Sequence, residues 1–97
     1  MKHFFEIKDE AAQEAIKSFL YYEEKSSGLG ERFFNSIEDT YKRIDKNPLS
    51  YQKIHKQFRA SKVRGFPFII IYEIAENNII VYSIFNSFRN PSKKIRE

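Results

Sequence analysis

Apolar and polar residues alternate at the start of the chain, with His3, Phe5 and Ile7 set against Lys2, Phe4 and Glu6, the two-residue period of a short strand. The period lengthens after Lys8-Asp9. Ala12, Ala15, Ile16, Phe19 and Leu20 recur at helical spacing, with Asp9 as the expected N-cap and Glu10 placed to favour the positive end of the helix dipole. The spacing predicts a helix over about residues 10–26, ended by Ser26-Ser27-Gly28, since glycine accepts the left-handed geometry that follows a helix. From Gly30 a second stripe runs through Phe33, Phe34, Ile37, Tyr41 and Ile44, with Glu31, Glu38, Asp39, Lys42 and Arg43 left for the outer face. Asn47-Pro48 closes it, because proline drives its predecessor out of the helical region. So short a loop makes the two helices antiparallel, an αα-hairpin whose combined stripe must cover something.

The remainder of the chain supplies that surface. Residues 58–64 read as a strand, and Phe66 to Ile74 as another, dense in aromatic and β-branched side chains. Pro67 must lie near the start of the latter or on an edge, having no N–H to give to a ladder. Glu76-Asn77-Asn78 tolerates the positive φ of a tight turn, and Ile79 to Phe85 runs back as a third strand. Nearly continuous apolar character in 68–74 and 79–85 marks central strands covered on part of both faces. The expected architecture is a single α+β domain over residues 1–97, in the order β-α-α-β-β-β: an N-terminal strand, an αα-hairpin and a C-terminal three-stranded antiparallel meander.

Composition adds few constraints. Ten Phe and six Tyr in 97 residues make the single core aromatic. No run approaches the ~20 apolar residues of a membrane helix, and Met1-Lys2-His3-Phe4-Phe5-Glu6 lacks a signal-peptide pattern, so a soluble, cytoplasmic protein without membrane contact is expected. With no cysteine there is neither a disulfide nor a thiolate, which fits a reducing compartment. No histidine–carboxylate spacing suggests a metal, and three isolated glycines make no phosphate-cradling loop, so neither metal nor cofactor is expected.

Charge is more informative through its distribution than its sum. The formal total is +4, but residues 1–47 carry −2 and residues 48–97 carry +6. Lys53, Lys56, Arg59, Lys62 and Arg64 occur with no acidic residue among them, and Arg89, Lys93, Lys94 and Arg96 follow in the tail. Were these brought together, they would attract phosphate backbones, or clamp the carboxylates of an acidic protein segment. A charged solvated surface is the plainer alternative. His55 lies within the basic run, where neighbouring cations would depress its pKa and keep it neutral, as a general base must be; an exposed loop histidine is the competing reading. His3, on the apolar-rich side of the first strand, reads as a packed structural residue.

Several stretches together resemble a known family. Tyr21-Tyr22-Glu23 ending the first helix, Gly28-Leu29-Gly30-Glu31-Arg32-Phe33 opening the second and Asn47-Pro48 closing it are similar to the ParE branch of the RelE/ParE superfamily of type II toxin–antitoxin toxins, the plasmid-stabilisation branch. Arg64-Gly65-Phe66-Pro67-Phe68-Ile69-Ile70-Ile71-Tyr72 resembles that branch's Phe-Pro-Tyr/Phe strand, and Phe85-Asn86-Ser87-Phe88-Arg89-Asn90-Pro91 its closing His-x-x-Arg-x-Pro motif. The resemblance implies a bacterial toxin neutralised by an antitoxin whose extended, partly helical segment wraps it. It also implies a target: RelE-like members cut messenger RNA in the ribosomal A site, whereas ParE-like members are linked to poisoning DNA gyrase.

Metal-free RNA cleavage needs a base, an acid and cations around the phosphorane. Against the RelE pattern this chain has Ile69 where those enzymes carry an arginine, Lys93-Lys94-Ile95 near the late aromatic, and Asn86 where many relatives carry a histidine. Arg89 and His55 are the candidate catalytic groups, with no residue standing out. The candidates for target or phosphate binding are Arg59, Lys62, Arg64, Arg89, Lys93 and Lys94, and those for antitoxin contact are Phe34, Ile37 and Tyr41. A ParE-like inhibitor that binds gyrase is the leading expectation. A ribosome-dependent endoribonuclease and a non-toxic, antitoxin-binding remnant of the fold are the alternatives.

Overall fold

The computed structural model describes residues 2–88. Strand β1 (Phe4–Ile7) leads into helix α1 (Asp9–Lys25) and helix α2 (Leu29–Lys46); a 3-10 turn at Pro48–Ser50 is followed by β2 (Lys53–His55), β3 (Phe58–Val63), β4 (Phe68–Ala75) and β5 (Asn78–Asn86). All five strands form one sheet in the order β1-β5-β4-β3-β2. The α+β class and the strand, hairpin, meander order are as expected. β2 to β5 form an antiparallel meander, while β1 lies parallel to β5, Phe4 beside Asn78 through Ile7 beside Val81. A parallel neighbour needs a long crossover, and here the helical hairpin is part of that crossover.

Three local expectations are corrected. β2, three residues beside β3, was not foreseen, because so short a run carries no period to read. Asp9 opens α1 instead of capping it: Lys8 holds the N-cap position without a side-chain bond, and the Asp9 and Glu10 carboxylates sit in the first turn. The central strand begins at Phe68, not Phe66. Gly65, at φ 82, turns the chain, and Phe68 N–H donates back to the Phe66 carbonyl at 2.8 Å, so Pro67 stands just outside the ladder where its missing N–H costs nothing.

The core lies between the hairpin and one face of the sheet. Phe33, Ile37 and Ile44 of α2 and Ala11 of α1 close on Val63, Ile70, Tyr72, Ile79 and Val81. Phe33 is its aromatic hub, with ring centroids 5.1 Å from both Phe66 and Phe68 and 5.2 Å from Tyr22. The Phe66-Pro67-Phe68 motif is therefore a corner pinned on both sides by rings against the hairpin.

Two carboxylates on α1 set where that helix sits. Glu23 accepts the N–H of Gly28 at 2.9 Å and of Gly30 at 3.0 Å, satisfying donors at the start of α2 that have no helical partner. Gly30 meets α1 so closely that a Cβ there would stand 2.7 Å from the Phe19 carbonyl oxygen. Glu14 accepts from Ser83 Oγ at 2.9 Å and from the Ile84 N–H at 3.0 Å. That contact falls where the β4–β5 register slips between Ile71 and Tyr72, which pair with Ser83 and Val81 and leave Tyr82 as the extra residue.

Candidate functional site

The basic residues read from the sequence fall into two groups. Lys53 and Arg59 pair across β2 and β3, Lys56 sits in the turn between those strands, and Lys62 and Arg64 follow on and after β3. Lys53, Lys56, Lys62 and Arg64 are exposed, giving the hairpin a cationic rim. Arg59 is half-buried, and its guanidinium donates to the carbonyls of Tyr51 at 2.7 Å and Leu49 at 3.2 Å, stapling the segment after α2 to the sheet. Arg89, Lys93 and Lys94 lie outside the described residues.

His55 is half-buried in β2 opposite Phe58. No group of three His, Cys, Asp or Glu side chains among the described residues could hold a metal ion. His3 lies just before β1, its Nδ1 3.0 Å from Asp45 Oδ1. On the sheet face away from the helices, Tyr82 donates to Glu73 and meets Phe58 edge-on at 5.1 Å between centroids. That hydrogen bond, then burial, pushes the Tyr82 phenol up to about 12, so it stays protonated and is a poor base.

Of the three residues expected to meet an antitoxin, Ile37 is 5% exposed and belongs to the core. Tyr41 packs on Phe5 at 5.4 Å between centroids, and burial, then Glu38, holds its hydroxyl far above the usual tyrosine range. Phe34 alone keeps open surface, its ring 4.5 Å from that of Phe19.

The larger accessible apolar surface is on α1. Ala11 turns fully inward and Ala15 and Tyr22 pack against the core, so small side chains bring the helix near the sheet. Ile16 and Leu20, expected in the buried stripe, stay 50% and 60% exposed. Beside them, between α1 and the corner where β4 begins and β5 ends, runs a groove of about 640 Å³. Lys17, Ser18, Tyr21, Tyr22 and Lys25 form its helical wall, Leu29, Pro67 and Phe68 its floor, and Asn86 and Phe88 its far side. No acidic residue lines it, and Lys25 Nζ lies 5.0 Å from the Tyr21 ring centroid. Sequence reading missed this groove because its walls come from residues 17–29 and 67–88, which no local pattern links. The available signal was the doubled apolar pairs Ala15-Ile16 and Phe19-Leu20, a stripe wider than one contact needs.

The family model for the ParE toxin of the type II toxin–antitoxin system parDE matches residues 5–91. The chain belongs to the ParE toxin family. The match takes in both helices and all five strands, β1 from its second residue. No curated protein sequence matches the chain. Solved structures with the same fold include the chromosomal ParDE system from P. aeruginosa, at a TM-score of 0.64 and 11% identity, covering 88% of this chain and 96% of that one. The YoeB dimer from Staphylococcus aureus follows at 0.60 and 12%, with 88% and 97% covered, and the YoeB-YefM complex from the same organism at 0.57 and 13%, with the same coverage. At these identities the likeness is one of fold. For this ParE-family chain it makes the helical hairpin on a five-stranded sheet the common frame, and leaves the groove and the cationic hairpin to be read from the chain's own residues. No helix among the described residues is long and apolar enough to cross a membrane.

Proposed function

We propose that this ParE-family toxin acts by binding, with DNA gyrase as its target by analogy with the ParE branch, and that a cognate antitoxin holds it silent in the bacterial cytoplasm. The observation that carries the binding mode is the groove. Its walls are mainly carbon, it opens beside half-exposed Ile16 and Leu20, and concave apolar surface of this kind is where partner proteins dock. The antitoxin segment covers α1 and this groove, reaching Phe34 at the edge of the hairpin. Ile69, half-buried mid-sheet, and Asn86, on the groove's far side, are groups that neither donate nor accept a proton in catalysis at neutral pH. Supercoiling by purified gyrase in the presence of the purified chain is the test. Inhibition relieved by the antitoxin is expected, and full supercoiling at a saturating concentration of folded chain would refute the gyrase assignment.

The exposed cations of the β2–β3 hairpin favour one second reading, a ribosome-dependent endoribonuclease that uses them, Arg89 and His55 against RNA. Mapping messenger RNA ends after induction separates the two: new 5′ ends within codons support cleavage, and intact transcripts during growth arrest exclude it. If neither arrest nor cleavage occurs and Arg89→Ala changes no phenotype, the chain is an antitoxin-binding remnant of the fold.

A further inference from the structure

Lys17 and Lys25 flank Tyr21 along the helical wall of the groove, and neither makes an ion pair with a described residue. Eight residues of helix separate them, roughly 12 Å along the axis. The Lys25 ammonium already rests over the Tyr21 ring, so part of its water has been displaced before any partner arrives. Two cations at fixed spacing, with a ring between them, would place opposite charges on an occupant and leave room for carbon in the middle.

Resting on the toxin reading above, we propose that the groove selects its occupant by this pair: an amphipathic protein segment carrying two carboxylates about 12 Å apart, with an apolar residue between them packed on Tyr21. On a helical partner the carboxylates stand seven or eight residues apart; on an extended one, four, at roughly 3.3 Å per residue. A protein segment suits the surface better than nucleic acid. Phosphates recur along a strand and call for a longer run of cations, whereas here only two interrupt a lining of rings and aliphatic carbon. Lys17 and Lys25 are therefore specificity determinants that fix register and partner choice, while Tyr21, Phe68 and Phe88 supply the area.

A phage-displayed library of random 16-residue peptides, panned on the immobilised full chain and on its Lys17→Glu/Lys25→Glu variant, tests this. The native chain should enrich peptides with paired Asp or Glu at the stated spacings around an apolar residue. The reversed surface should bind those peptides about tenfold less tightly or worse and enrich Lys or Arg at the same spacing. Because the lysines are exposed, circular dichroism of the variant should match the native chain. Enriched peptides without paired acids, no enrichment, or indifference to charge reversal would overturn the proposal. So would a single-stranded oligonucleotide that displaces the selected peptides and loses its own binding on reversal. Growth arrest by the native chain is scored separately. Arrest without charge-coded peptides sinks this inference alone, while charge-coded peptides without arrest sink the toxin reading and leave the groove chemistry standing.

Discussion

Asp45 sits in the last turn of α2, where the negative end of the helix dipole disfavours a carboxylate. It is kept there by three donors: the N–H of Lys2 at 2.8 Å, the N–H of His3 at 2.7 Å and the His3 ring at 3.0 Å. Desolvation alone would raise its pKa, but these bonds outweigh that effect and hold it below the ordinary aspartate value. The folded state thus prefers the charged form. Its contribution is complete above the unfolded carboxylate range and is lost as pH falls through the lower folded value. Asp45→Asn should lower the melting temperature at pH 7 and flatten the acid limb of a stability curve taken down to pH 2. Tyr72, fully buried, donates to the Pro48 carbonyl at 2.6 Å, and Tyr72→Phe should cost about 1–2 kcal/mol by urea unfolding. Burial, only partly offset by nearby Arg59, pushes this phenol up to about 12. Its contribution is full below pH 10 and declines above it. Gly30→Ala should cost about 1–3 kcal/mol, since the new methyl would press on Phe19, whereas Gly28→Ala meets no neighbour and bears only the left-handed φ of 86°, roughly 1 kcal/mol. His3 was readable as a structural histidine, but its partner was not, because Asp45 lies 42 residues away and reads only as a polar position at the end of a stripe.

Among the elements, the helices and long strands were legible because periodicity and turn chemistry both mark them. β4 and β5 sit in the middle of the sheet, as their continuous apolar runs foretold, and the Glu76-Asn77 turn lies where asparagine-rich chemistry put it, with Glu76 at φ 57. Legibility failed where geometry is decided between elements. Which side of α1 faces inward depends on how close the helix must come to the sheet. The alanines win that contact, and Ile16 and Leu20 are left outside. The start of α1 is also under-capped. Lys8→Ser or Lys8→Asp should stabilise the fold by about 1 kcal/mol in thermal melts, more than the exposed Lys8–Glu6 ion pair contributes.

At the scale of the molecule, the charge imbalance between the two halves of the sequence becomes two separate surfaces. The cationic rim of the β2–β3 hairpin comes from the basic run itself, and so was visible in the sequence. The groove takes its cations from α1, in the net acidic half, and its floor and far side from the corner at Pro67 and from Asn86 and Phe88, so only the fold reveals it. The ParE-family match makes the chain a toxin by descent, and the two surfaces make it a binder by construction. The most direct test of that account is the colony count of bacteria in which the chain is induced alone and then together with its antitoxin. The account predicts a steep loss of colonies that the antitoxin restores. Undiminished growth with the folded chain demonstrably accumulating would contradict it.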